Sequence, residues 1–234
     1  MDASGQLTSW NPGVNGIVRA LAVNNGVIYA GGDFTSAGDS AEATQRLHLA
    51  AFDAAGNLLP WNPGVATVSG VPTVNALAVD NGVIYAGGNF RSAGGGTGAT
   101  QRLRLAAFDA AGNVLPWNPG ANSVVRALAV DNGVIYAGGG FGSAGGGTGA
   151  TQRRALAAFD TDGNLLAWNP GANSHVHALA VDDGVVYAGG VFTSAGGGTG
   201  TTSRVNLAAF DAAGNLLPWN PGVATESSNT GTRQ

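Results

Sequence analysis

Five tryptophans, Trp10, Trp61, Trp117, Trp168 and Trp219, each open the tetrapeptide WNPG, and they lie 51, 56, 51 and 51 residues apart. Inside that frame the landmarks keep their distances. Tyr29 and Phe52 are 23 residues apart, the interval recurs in the other three units, and each phenylalanine precedes its tryptophan by 9. The excess in the second interval lies between Trp61 and Tyr85, in GVATVSGVPTVNAL, where the other units have shorter links. One supersecondary unit is therefore written four times, and periods of about 40–50 residues belong to propellers and solenoids.

Each unit holds four strand candidates. The first is VRALAV at 18–23, or VNALAV at 74–79, and the second is VIYAGG at 27–32. Between them stand NNG, DNG, DNG and DDG, the signals of a two-residue hairpin turn. The third runs from Leu47 to Asp53 and the fourth is NLLPW. DAAGN or DTDGN joins these two and suits a type I turn with a glycine bulge. Pro63 and its equivalents then stop the strand. No unit has a 3.6-residue period, which excludes a helical solenoid. The strands are nearly continuous apolar runs, as expected for sheets covered on both faces. The small alanines of ALAV suit an innermost strand. The double glycine would end the second strand where no side chain fits or where φ must be positive.

The expected fold is all-β: a β-propeller of four-stranded antiparallel blades, with four complete units of about 51 residues. The blades would span 14–62, 70–118, 122–169 and 173–220 within a domain covering 1–222. Residues 1–13 would add a spare outer strand, since MDASGQLTSW aligns with FDAAGNLLPW, and 223–234 would form a disordered tail. Four units leave three arrangements open: a ring closed by one chain, an eight-bladed ring shared by two chains, or a piece of a longer array.

Composition removes several function classes. A net charge of −4 and a pI near 5.1 argue against nucleic acid, which calls for a basic stripe. No residue is lysine or cysteine, so thiolate chemistry and disulfides are out. No apolar run approaches the roughly 18–20 residues of a membrane span. The N-terminal stretch has neither the basic nor the apolar region of a signal peptide. The glycine-rich segments SAGGGTGATQR at 92–102 and 143–153 lack the GK[ST] ending and the following helix of a phosphate loop. They read as long exposed loops, natural contact surfaces. The first unit has SAGDSAEATQR instead, acidic through Asp39 and Glu42. No cofactor motif is present.

The diglycine closing the second strand, the FD pair of the third (Phe52–Asp53, Phe108–Asp109, Phe159–Asp160, Phe210–Asp211) and the tryptophan of the fourth resemble the kelch type of blade. The fuller pattern, ALAV..G.IYAGG.F.SAG....R..LAAFD..GNLL.WNPG, is similar to the delta-sixty-type propeller repeats of bacterial surface and secreted proteins, and resembles repeats of fungal cortical polarity markers. The resemblance covers 1–222. It implies adhesion, cell-surface or scaffold roles, an extracellular or cell-surface location within a longer protein, and no catalytic residues. The units here are more alike than those of the family.

In a repeat protein, what recurs in every unit is scaffold, and what varies is where function could lie. Arg46, Arg102, Arg153 and Arg204 recur, and the plainer reading is an arginine bonded to the unit's aspartate or a turn carbonyl. The alternative is an arginine ring for an anionic sugar or phosphate. Asp53, Asp109, Asp160 and Asp211 read as turn caps. DTDGN at 160–164 echoes the start of a calcium loop but has no distal glutamate. Trp61, Trp117, Trp168 and Trp219 read as structural. The informative column is Arg19, Asn75, Arg126 and His177, polar residues near the start of the innermost strand. They would ring one mouth of a central channel, as a solvated strand end or as a binding funnel. His175 and His177 share a strand face, but a metal needs three or four ligands and His48 stands in another unit. No metal site is expected.

The leading expectation is a non-enzymatic binding or scaffold module that recognises a glycan or protein. One rival is a propeller enzyme, a lyase or hydrolase with its active site at the channel mouth. The other is an artificial or recently amplified repeat array with no evolved ligand.

Overall fold

A computed structural model describes residues 6, 10–38, 43–68 and 70–221. The predicted tail and the acidic pair Asp39 and Glu42 lie outside these residues. The described chain is all β, with one three-stranded antiparallel sheet recurring in each of the four units, smaller sheets beside them and no helix. The first strands are Val18–Asn24, Thr73–Asp80, Val125–Asp131 and Val176–Asp182. The second strands are Val27–Gly32, Val83–Asn89, Val134–Gly139 and Val185–Gly190, and each pairs centrally between the first and third. The third strands are Leu49–Phe52, Leu105–Phe108, Leu156–Phe159 and Leu207–Phe210.

The hairpins between first and second strands turn through Asn25–Gly26 and its equivalents, with φ of 48° and 79° in the first unit. Both central residues are left-handed, the type I′ geometry that matches strand twist, which is why Asn-Gly and Asp-Gly stand there.

The predicted fourth strand shrinks to a single bridge, Phe52↔Leu58 and its equivalents. Leu59 N–H still donates to the Ala51 carbonyl at 2.8 Å, but the Leu59 carbonyl accepts from Arg46 Nη2 at 2.9 Å. The ladder stops there. In the third unit Ala167 stands where the others have Pro60, Pro116 and Pro218, and the pairing runs no further, with Arg153 on the Leu166 carbonyl at 2.9 Å. The arginine, more than the proline at 60, ends the pairing, and it does so at Leu59, ahead of Pro63. The expected spare N-terminal strand falls on residues of which only Gln6 and 10–13 are described, so it lies outside the described residues; Trp10–Gly13 is irregular, and Val14 makes one bridge to Ala37.

The glycine-rich segments are not open loops. Each folds into a two-residue hairpin, such as Ser92–Ala93 with Thr100–Gln101. The chain leaving the preceding WNPG completes it: Val65–Ala66 pairs with Ser92–Ala93, and Ala121 and Ala172 bridge to Ala144 and Ala195. A Cβ on Gly64 would fall 2.5 Å from the Gly96 carbonyl oxygen, so the glycine of WNPG is needed for close approach. The five-residue excess is an outward excursion, with Val68 and Val71 88% and 64% exposed.

Neighbouring units lock by two devices. The first strands of successive units lie against one another. Val74 of the second unit is fully buried over Gly31 of the first, and a Cβ on Gly31 would stand 2.5 Å from its Cγ1. Val125 over Gly87 and Val176 over Gly138 repeat the arrangement at 2.6 and 2.7 Å. A Cβ on Gly32 would collide with the Ile17 carbonyl oxygen. Neither glycine has positive φ, so the diglycine answers to space alone. Burying each valine contributes about 1.5–3 kcal/mol. In the second device Trp61 packs edge-on to Tyr29 of its own unit at 5.0 Å and to Phe108 of the next at 5.9 Å. Its Nε1–H donates to the Asp109 carbonyl at 3.0 Å. Trp117 and Trp168 do the same.

The array is open at both ends. Leu21 and Val23 of the first unit are 60% and 65% exposed, and Trp219 of the last is 42% exposed against 3–4% for Trp61, Trp117 and Trp168.

Candidate functional site at the strand bulges

The column Arg19, Asn75, Arg126 and His177 occupies one structural feature in every unit. Val18 pairs with Gly32 and Ala20 with Gly31, so residue 19 is the extra residue of a β-bulge, and 75, 126 and 177 are its equivalents. Bulges re-aim a side chain out of the regular alternation. That is how a polar residue sits inside the apolar run VRALAV without entering the core.

The four residues have separate environments. Arg19 grips Asp33 through two parallel bonds, Nε to Oδ1 at 2.6 Å and Nη2 to Oδ2 at 2.5 Å. That bidentate contact holds the Asp33 carboxyl below its ordinary range and raises the guanidinium. Asn75 donates to the Val125 carbonyl of the next unit at 3.0 Å. The Arg126 Nε is buried with no hydrogen-bond partner. His177 is held below the usual imidazole range by desolvation first, then by Arg126 and His175. The His175 and His177 rings are 6.2 Å apart. Among the described residues no group of three or more His, Cys, Asp or Glu is placed to hold a metal.

A second variable column was missed. Asp33, Asn89, Gly140 and Val191 follow the diglycine, in GGDF, GGNF, GGGF and GGVF, and in the first unit Asp33 meets the bulge residue Arg19. A third is His48, Arg104, Ala155 and Asn206, all left-handed with φ of 65–70°. His48 is 4% exposed with an unpartnered Nδ1, and burial pushes its pKa down. Arg104 donates to Asn89 Oδ1 at 2.5 Å. The signal for both was in the sequence, as variation inside otherwise repeated octapeptides and ahead of LAAF. Without the sheet register nothing tied those positions to residue 19.

The recurring residues serve the fold. Arg46, Arg102, Arg153 and Arg204 bond carbonyls, at Leu59, Leu115, Leu166 and Leu217, over 2.7–3.0 Å. These bonds run to main-chain oxygens, not to the unit's aspartate. Desolvation lowers the pKa of Arg46, Arg102 and Arg153. Asp53 Oδ1 accepts from the Ala55 and Asn57 amides and Oδ2 from the Asn57 side chain, and Asp109, Asp160 and Asp211 repeat this at 2.7–3.0 Å.

Two of the surface cavities bear on these residues. One of about 480 Å³ lies between Asn11–Pro12 and the turn at 55–60, with Arg46 on its wall. It is remote from the bulge column. The other, of about 240 Å³, is bordered by Gly140, Arg154 and His175. Neither gathers the four column residues. Among the described residues no helix is long and apolar enough to cross a membrane.

No family model matches the chain, and no curated protein matches it. Among solved structures it is similar to the computationally designed Ika4 protein, with 18% identity and a TM-score of 0.53 over 85% of this chain and 93% of that one. It is also similar to the computationally designed Ika8 protein, with 17% identity and a TM-score of 0.50 over 86% of this chain and 60% of that one. At these identities the likeness is one of fold.

Proposed function

We propose that this chain is an artificial or recently amplified repeat array of propeller type, a structural scaffold without an evolved ligand. The observation that carries this reading is where the polar groups go. The repeated arginines and aspartates are bound to the protein's own backbone in all four units, and the tryptophans at the three internal junctions are bound to it too. The varied bulge residues hold four unlike environments, and neither cavity described above gathers them. A ligand site needs a few polar groups converging in one concave pocket. Near-identical units supply little of that asymmetry. The side-by-side first strands favour blades set about a common axis. The designed origin of Ika4 and Ika8 is in keeping with the reading.

A glycan array probed with the labelled chain tests it. The expected result is no saturable binding above background. Saturable binding that disappears in the triple variant Arg19→Ala, Arg126→Ala, His177→Ala would overturn the reading and restore a recognition module at the bulge column.

A further inference from the structure

Each internal junction is assembled from the same parts. A valine and a leucine of the following unit stand over the first glycine of the preceding diglycine; for Gly31 these are Val74 Cγ1 at 2.5 Å and Leu77 Cδ1 at 3.4 Å from a Cβ built there. One tryptophan bridges the tyrosine of its own unit and the Phe-Asp pair of the next.

The outer faces carry these parts without mates. On the first unit, Val18 and Leu21 are 40% and 60% exposed, whereas Val74 and Leu77 are 0% and 9%. On the last unit the space over Gly189 is open: a Cβ there meets nothing nearer than Leu207 Cδ2 of the same unit, at 3.5 Å. Trp219 lies on Tyr187 at 5.4 Å with no Phe-Asp pair beyond it. Trp10 has the opposite half. Its Nε1–H reaches the Asp53 carbonyl at 3.3 Å, and a Cβ on Gly56 would meet its Cδ1 at 3.3 Å, as one on Gly112 would meet Trp61 Cδ1 at 3.4 Å.

We propose that these two faces join head to tail between two copies of this chain. Val18 and Leu21 of one copy enter the recess over Gly189 of the other, and Trp10 and Trp219 are alternative occupants of the single tryptophan socket in that junction. The occupant is a second copy because the protein builds the same junction three times internally, from residues identical to those on its open faces. An unrelated partner would have to reproduce the valine, the leucine and their register. The socket has room for one tryptophan: Tyr187 of one copy and Phe52–Asp53 of the other flank one indole, so one of the two withdraws. A contact of this kind is heterologous, and it ends when the series closes on itself.

The test is the solution mass of the full chain by light scattering across a dilution series. The expected mass is at least twice 23.0 kDa, falling towards 23.0 kDa on dilution. Gly189→Val fills the recess and should weaken association at least roughly tenfold. Its circular dichroism in dilute solution should be unchanged and its melting no lower than wild type, because the site has room. Val18→Asp should weaken association likewise from the other face. Trp10→Ala and Trp219→Ala should each leave association within roughly threefold, while the double variant loses at least roughly tenfold more than the two together. A wild-type chain of 23.0 kDa at every concentration overturns the junction, as do Gly189→Val and Val18→Asp chains that associate like wild type. Additive effects of the two tryptophan substitutions overturn the shared socket.

Discussion

Gly87 and Gly189 have the same local sequence, YAGG, and ordinary φ, but different neighbours. A Cβ on Gly87 would stand 2.6 Å from Val125 Cγ1 and 3.3 Å from its Cβ, and Val125 is fully buried and stiff about χ1. The same Cβ on Gly189 has 3.5 Å of clearance. Replacing glycine by alanine where φ allows it stabilises by about 0.4–1 kcal/mol through the unfolded chain. Overpacking a filled site costs about 1–3 kcal/mol. Gly87→Ala should therefore destabilise by about 1–2 kcal/mol, and Gly189→Ala should stabilise by about 0.4–1 kcal/mol. For a chain of this size that is a melting temperature lowered by about 2–8 °C in one case and raised by about 1–4 °C in the other. Tryptophan fluorescence follows the melt directly, since Trp61, Trp117 and Trp168 sit at the junctions. The measurement belongs at dilutions where the chain runs as a monomer. Equal shifts for the two variants would refute the claim that the neighbour, and not the strand, requires the first glycine.

Trp117→Ala removes a bridge to Tyr85 and Phe159 and a hydrogen bond to Asp160, and should cost about 3–5 kcal/mol in thermal unfolding. Trp219→Ala, 42% exposed, should cost far less in the monomer. Asp109→Ala leaves the Ala111 and Asn113 amides without their acceptor and should cost about 1–2 kcal/mol in urea unfolding. The Asn113 side chain, foremost, holds the Asp109 carboxyl below its ordinary 3.8. Its folded pKa is depressed, so its stabilisation is in place above 3.8 and is lost as pH falls through the folded value. At Asp160 burial is the largest single influence and pushes upward, yet Asn164 and the turn amides together keep the carboxyl low. His48 is pushed below 6.5 by burial, so the unfolded chain takes up its proton first and stability declines as pH falls through 6.5. His48→Asn should flatten that part of the pH–stability curve, while an unchanged slope would place its origin elsewhere.

The strands and turns were legible because their causes are local. Asn25–Gly26 specifies a type I′ turn by itself, and VIYAGG and LAAF have no other use for their apolar runs. The turn role of Asp53 is also local, since its partners are two and four residues away. The fourth strand was overstated because its end depends on Arg46, which reaches Leu59 across 13 residues. The bulge column was picked out by its variation, but its meaning was hidden. Residue 19 meets Asp33 only through the hairpin register, and Asn75 meets the Val125 carbonyl 50 residues away.

The sequence by itself determined the unit: its length, its order of strands, its turns and its fourfold recurrence. Those follow from periodicity and from which residues tolerate left-handed φ, and neither depends on what lies alongside. Tertiary structure alone decided what each repeated residue does. Gly31 and Gly189 are the same letter in the same octapeptide context, yet one is filled by Val74 and the other is open. Trp61 and Trp219 are the same letter too, one buried between two units and the other half-exposed at an edge. The difference lies in contacts between residues about 50 apart, and in a repeat protein the identical sequence on either side of a junction carries no mark of whether a neighbour is there.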